Sequence, residues 1–535
     1  MPRGPDSGVT TLAEVYAISE AGSGADPIVA RSKRAFASKE RWNSLFDECF
    51  DYTMPGRTGM FDDSPGQKRT AEIFDETAVS GVQEFASRIQ SGLTPGHVRW
   101  AMFAPGNAVP AELKQQMLEP LEQMTGLVFD ILQNTNISAE LHECYLDLAV
   151  GTGVLRVDNG DSLELVRFRS IPMPNVALDE GPDGKIDGVF VRHWVEPTKI
   201  SVAFPGASNL DEKEGGGPGK KVCLIESCHR VWERSNEYVY KHCVYSEKTG
   251  KKVFETELVG IGSSPFVVFR WAKAAGETWG RGPIVNSLSS IKTVNLISQF
   301  VLENADLAVS GMYQVDDDGT VNPDTIRIAP GAVIPVAPNT RGIQPINSAS
   351  RFDVAGLVLD EIRDSIRRGL FNERLGSPDQ SPKTATEIAE RMADLSRRLS
   401  GTYSRLQNEL VVPLMQRVVY ILRMRGLIDA PPVNGLDIRV VASAPLSQAQ
   451  RFQDVENFAR FMQMLGGLFG GQIANLMVDQ EKSSTYLAEN LAVPATLLRS
   501  PEERAQLVQQ LAQAAGQQAG DPNEQIPQEA GPPIG

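Results

Sequence analysis

One long helical stripe limits what this chain can become. Across 384–426, Ile388, Met392, Leu395, Leu399, Leu406, Leu410, Leu414, Val418 and Ile421 recur at helical spacing. Thr384, followed by Glu387 at the third helical position, is a capping-box start just past Gly376, Ser377, Pro378 and Pro382. At about 1.5 Å per residue such a helix spans roughly 65 Å, far more than an ordinary globular helix. Pro413 lies inside it and predicts a kink, because proline removes a backbone bond and clashes one turn back. On pattern alone, a long core helix of any large helical protein fits equally well.

The rest of the chain divides around this helix. Residues 1–30 are rich in Gly, Ser and small side chains and read as a flexible N-terminus. The pattern from 31 to 150 is helical. Segment 68–91 carries Ile73, Phe74, Val82, Phe85 and Ile89, and 111–134 carries Leu113, Met117, Leu121, Met124, Leu127 and Val128 behind Pro110. Gly151 and Gly153 break it. Residues 154–272 are β-rich, with runs at 163–168, 188–195, 221–233, 237–246 and 266–272, turn signals such as Asp183-Gly184, and a charged Gly-rich loop at 211–221. Helix returns at 284–309. Short strands and turns fill 310–350, and a second helix over 351–371 aligns Val354, Val358, Ile362, Ile366 and Leu370 behind a Ser350–Asp353 capping signal. A strand at 433–443 follows the long helix, then helices at 446–465, 471–491 and 501–515, and a Gln-, Gly- and Pro-rich tail at 516–535 reads as disordered. The fold class is α+β, predominantly helical, with a small β domain inserted among helices.

Composition excludes several functions. The 52 Lys+Arg stand against 67 Asp+Glu, a net charge of −15, which argues against a general nucleic-acid binder needing surplus cations. It permits DNA that slides past without sticking. Five cysteines suit a reducing compartment rather than a disulfide framework. No signal peptide or membrane span is expected; the best apolar run, 411–422, is short and holds Pro413 and Arg417. The phosphate-loop pattern is absent, since Glu214 and Lys221 replace its first Gly and its Ser/Thr around Gly219-Lys220. Gly151-Thr152-Gly153 is no dinucleotide fingerprint, no nucleophile elbow exists, and His142-Glu143 is not completed by a second His, because 146 is Leu. Among Cys223, Cys228, His229, His242 and Cys243, four soft ligands could meet across neighbouring strands, but their spacing is not a zinc pattern and alternate strand residues face opposite ways. Asp316-Asp317-Asp318-Gly319 with Asp324 is half a calcium loop whose acidic last ligand is replaced by Arg327. No enzyme, metal or cofactor is read here.

Four segments, in order, resemble the portal, or head-to-tail connector, family of T7-like short-tailed bacteriophages. They are KRTAEIFDETAVSGVQEFASRIQSGLTPGHVRW (68–100), LHECYLDLAVGTGVLRV (141–157), GETWGRGPIVNSLSSIKTVN (276–295) and TATEIAERMADLSRRLSGTYSRLQNELVVPLMQRVVYIL (384–422), the last with Thr384, Glu387, Gly401, Tyr403, Glu409 and Pro413. The likeness covers most of residues 35–495. It implies a ring of about twelve subunits at one capsid vertex. The implied parts are a wing (31–283 with the long kinked helix and strand 384–443), a stem (284–309 and 351–371), a clip (310–350), a channel loop (372–383) and a crown (444–515). Implied partners are the packaging ATPase (terminase), tail and adaptor proteins, the major capsid and scaffolding proteins, and viral double-stranded DNA held without sequence preference. The implied location is the virion, after assembly in the host cytoplasm, with no membrane contact.

On that likeness, the channel loop offers Asn372, Glu373, Arg374, Ser377, Asp379, Gln380 and Lys383 to DNA. The clip offers Asp316, Asp317, Asp318, Asp324, Arg327 and Arg341 to partners. The long helix sets Arg391, Arg397, Arg398 and Arg405 against Glu387, Glu390 and Asp394, either across subunits or as i,i+4 pairs within the helix. An acidic channel wall would keep the duplex centred instead of braking it. Another head–tail joining or scaffold-associated virion protein is the alternative; such proteins usually lack the helix–tip–helix order seen at 284–371.

Overall fold

The computed structural model describes residues 26–57, 72–207, 221–234, 237–310, 313–314, 344–345, 352–372 and 401–469, with short stretches at 478–479, 483–484, 486–487 and 509–510. The described chain starts on a helix cap. Asp26 accepts a hydrogen bond from Ile28 N at 3.1 Å, and Pro27, whose missing N–H is harmless in a first turn, opens helix α1, Pro27–Thr53. The helix therefore begins inside the stretch expected to be flexible. Its first half lays Ile28, Val29, Ala35 and Phe36 against Phe190, Ile225 and Tyr245 of a sheet, and its second half gives Phe46, Cys49 and Phe50 to the main core.

Helix α2 (Thr77–Leu93), strand β1 (Ala101–Pro105) and helices α3 (Ala111–Gln133) and α4 (Ile137–Val150) follow. The apolar stripe expected along 111–134 splits in two. Leu121, Met124, Val128, Phe129 and Leu132 are buried, whereas Leu113, Leu118 and Leu127 are exposed. Within the main core, Phe46, Phe85, Tyr145, Phe269 and Trp279 are fully buried, and each contributes about 1.5–3 kcal/mol.

The β-rich stretch forms two sheets. β2 (Thr152–Asn159) sits between β3 (Val166–Ser170) and the late strand β9 (Phe266–Arg270) in a three-stranded antiparallel sheet. The ends of the stretch thus close on each other, with Thr152 opposite Arg270. Between them, β4 (Val176–Glu180), β5 (Ile186–Val195), β6 (Val222–Arg230), β7 (Val239–Ser246) and β8 (Lys252–Val259) form an antiparallel meander, with the one-turn helix α5 (Ile200–Ala203) between β5 and β6. Arg31 of α1 holds this sheet by Asp179 (Nε, 2.6 Å) and Asp187 (Nη2, 2.6 Å).

Helices α6 (Pro283–Ser310) and α7 (Phe352–Gly369) fall within two residues of the expected pair. Between them in the chain, β10 (Tyr313–Gln314) pairs antiparallel with β11 (Gln344–Pro345). Of the long helix, 401–406 is helical, Gln407–Val411 is a π turn, and α8 runs Val412–Met424; 384–400 lies outside the described residues. Where the sequence predicts a proline kink, a π turn ends two residues before Pro413. An i→i+5 turn and a residue with no N–H both disturb the same stretch of ladder. β12 (Ile438–Ala442) then pairs antiparallel with β1, Val440 opposite Phe103, and α9 (Pro445–Phe469) follows.

Candidate functional site

Helices α6 and α7 pack on each other and run antiparallel. A Cβ placed on Gly369, at the end of α7, would lie 2.4 Å from Ser287 Oγ, near the start of α6. The near ends of the pair are embedded: Ile284, Leu288, Ile291 and Val294 of α6, and Leu359, Ile366 and Leu370 beside them, are buried. The far ends are not. From 299 to 306 no residue of α6 is buried, and 356–358 of α7 are exposed. Leu296, Phe300, Leu302, Leu357 and Val358 all lie open to solvent. The β10–β11 pair belongs to the far end, because β10 begins just past Ser310.

The socket for this hairpin is built where three of the sequence's distinctive segments meet. Asn295 of α6 accepts hydrogen bonds from Phe74 N (2.7 Å) and Asp75 N (3.3 Å) and donates to Glu72 O (2.8 Å). Asp75 receives Arg363 Nε of α7 at 2.9 Å and caps Thr77 N at 2.9 Å. The α4–β2 corner meets the segment leading into α6 backbone to backbone. Gly282 N donates to Val150 O (2.7 Å), Gly280 N to Thr152 Oγ1 (3.0 Å), and a Cβ on Gly151 would lie 2.0 Å from Gly280 O. Only glycine fits that approach.

α7 ends in a paired turn: Phe371 N donates to Arg368 O (3.1 Å) and Asn372 N to Arg367 O (2.7 Å). This closure needs a left-handed residue, usually Gly, and here Phe371 takes it at φ 58°. Leu370 is fully buried, Arg88 Nη1 donates to Phe371 O (2.8 Å), and Asn372 Nδ2 donates to Gly81 O.

The long helix is tied to the sheets by side chains. Glu409, inside the π turn, accepts from Arg270 N (2.9 Å), Nε (3.2 Å) and Nη2 (2.7 Å). Arg417 donates Nε to Val157 O (3.0 Å) and Nη1 to Ser263 O (2.7 Å), and burial lowers its pKa to about 10. Arg425 donates Nε to Asn159 Oδ1 (2.6 Å) and Nη1 to Asp161 O (3.0 Å).

Most residues singled out from the sequence lie outside the described residues. That holds for Glu373, Arg374, Ser377, Asp379, Gln380 and Lys383, for Asp316, Asp317, Asp318, Asp324, Arg327 and Arg341, and for Glu387, Glu390, Arg391, Asp394, Arg397 and Arg398. Arg405 is described and half-buried. Asn372 is described too, and at 2% exposure it is an anchor against α2, not an open loop residue. Its place beyond a helix end in a polar run carried no sign of burial. Asn295, Arg270 and Glu409 were also missed as partners, since pairs joined across 139 or more positions leave no local spacing.

A cluster of ionisable groups is paired at the five-stranded sheet. Glu226 is fully buried in the five-stranded sheet and bonded to His193 Nε2 (2.8 Å), His242 Nε2 (2.7 Å) and Arg156 Nη1. Burial alone would raise its pKa; the two histidine bonds and the Arg156 charge outweigh burial and hold it well below the usual range. His242 thus pairs with a glutamate outside the soft cluster weighed above, and Cys223, Cys228 and Cys243 are buried. Among the described residues, no group of three or more His, Cys, Asp or Glu is placed to hold a metal ion. No helix there is long and apolar enough to cross a membrane.

Fold and site together define a helical-hairpin protein: the hairpin is seated deeply at one end and open at the other, on a mixed helix and strand body. Residues 26–498 match the family described as bacteriophage head to tail connecting protein, and the chain belongs to that family. It is 22% identical to a probable portal protein of Bordetella phage BPP-1, over 92% of each chain, and 20% identical to the portal protein of Enterobacteria phage T3, over 93% of each. A chain in the neck of an empty GTA particle superposes with a TM-score of 0.35 at 14% identity, covering 78% of this chain and 91% of that one. A score that low adds nothing to the family assignment.

Proposed function

We propose that copies of this chain close into a ring at one capsid vertex, forming the channel through which viral DNA is packaged and ejected. The observation that carries this reading is the apolar far half of the α6–α7 hairpin. Among the described residues, Leu296, Phe300, Leu302, Leu357 and Val358 are 41–74% exposed. An apolar face on a projecting element is stabilised when another surface removes it from water, and repeated identical contacts between unlike sides close into a ring.

In this reading the hairpin is the stem, 310–350 is the clip that docks the packaging ATPase and later the tail or adaptor proteins, and 444–515 is the crown. Residues 373–383 form the loop facing DNA, with Arg374 and Lys383 as weak, regularly spaced contacts. The arginines Arg391, Arg397, Arg398 and Arg405 bridge neighbouring subunits through Glu387, Glu390 and Asp394. Capsid and scaffolding proteins surround the wing. Mechanism is shape and electrostatics, with no bond chemistry: about twelve copies of a chain at −15 give a wall that repels phosphate and lets the duplex move.

Negative-stain imaging of the purified protein tests it. Rings with a central hole are expected, and the Phe300→Ser, Leu302→Ser double variant should stay folded but remain monomeric. Rings that persist unchanged in that variant would remove the hairpin from the interface, and particles that never associate would remove the ring.

A further inference from the structure

Two irregular backbone features flank 373–400 in the chain. On one side is Phe371 in the left-handed region. On the other is the π turn Gln407–Val411. A left-handed bulky residue costs about 1–2 kcal/mol, and a π turn is less favourable than continued α-helix. Features of this kind persist only where surrounding contacts hold them.

Both are held from one place. Arg270, the last residue of β9, grips Glu409 of the π turn with its backbone N–H and two guanidinium nitrogens. The next residue, Trp271, sets its ring 5.6 Å from that of Phe371, and 5.0 Å from Phe85 on α2. Consecutive residues at a strand end point to opposite sides, so this dipeptide reaches two elements at once. Its backbone cannot yield easily. Arg270 is paired with Thr152, Trp271 N donates to Gly151 O (2.9 Å), and Arg270 Nη1 donates to Thr278 O (3.2 Å).

We propose that Arg270–Trp271 is a coupling joint. It sets the end of α7 and the π turn of the long helix together, so that displacing one loosens the other. Arg270 and Trp271 are positioning residues in this sense. The coupling runs through direct contacts only: Phe371 ring, Trp271 ring, a fixed dipeptide, Arg270 guanidinium, Glu409 carboxylate.

Amide hydrogen exchange on the full-length chain tests the joint without reference to any ring. Glu409→Gln keeps the shape and removes the charge; Phe371→Leu removes the ring contact. Glu409→Gln is expected to speed exchange about tenfold at 366–372 as well as at 407–411, and Phe371→Leu to do the same at 407–411. The double variant should exchange no faster than the faster single one, because both break the same chain of contacts. Amides near Arg425, held separately, should not change. If each substitution speeds exchange only beside itself, and the effects multiply in the double variant, the joint does not exist. Should Glu409→Gln fail to fold, Arg270→Lys asks the same question, since it keeps the cation but loses the two-pronged grip.

Discussion

Lys39 donates Nζ to the carbonyls of Met173 and Pro174 at 2.7 Å each, beneath helix α1, and burial lowers its pKa to about 7. An unfolded lysine titrates near 10.5. Between those values the unfolded chain binds more protons than the folded one, so this residue makes stability rise with pH from 7 upward. Its penalty is fully present below pH 7. Comparing urea midpoints of the protein and its Lys39→Met variant at pH 7 and pH 9 isolates this residue. The wild type should gain about 2 kcal/mol relative to the variant over that interval, and a constant difference would show that Lys39 stays charged. Gly151 sets a different limit at the same scale. Gly151→Ala forces a methyl group against the carbonyl of Gly280. A loss of about 3 kcal/mol is expected in chemical denaturation, whereas a loss below about 1 kcal/mol would mean that the corner can open at little cost.

Among the elements, α6 and α7 were the most legible in the sequence. Ile284, Leu288, Ile291 and Ile366 repeat at helical spacing and do line the buried side. Strands β1, β4 and β8 were missed. β4, Val176–Glu180, is buried over its first three residues, so it shows no alternation. β8 does alternate in burial, but Glu255, Thr256 and Glu257 interrupt its apolar residues and masked the strand. The π turn was beyond reach too: Pro413 announced a disturbance, while its form depends on Glu409 meeting Arg270. The other bolts of this helix can be tested singly. Arg417→Ala leaves three backbone carbonyls without their donor and should cost about 3 kcal/mol, read as a fall in thermal midpoint. Arg425→Ala, on an exposed rim, should cost under about 1 kcal/mol. Equal losses would mean that burial does not separate the two anchors.

For the whole molecule, net charge is the property that reaches function. A chain at −15 should bind duplex DNA weakly, with no saturation below about 10 µM at physiological salt. Fluorescence anisotropy with a short duplex measures this; tight binding that resists added salt would contradict a low-friction channel.

By itself the sequence determined the helices with repeating apolar faces, the acidic balance and the likeness to head-to-tail connecting proteins. Those properties are local or additive, so each can be read from neighbours in the chain. Only the tertiary structure decided that the β-rich stretch is two sheets, that Asn372 is an anchor, and that Arg270 and Trp271 stand between two irregular turns. A left-handed Phe371 and a widened helical turn are locally unfavourable. They exist because side chains a hundred or more residues away hold them, and no local pattern records such a partner.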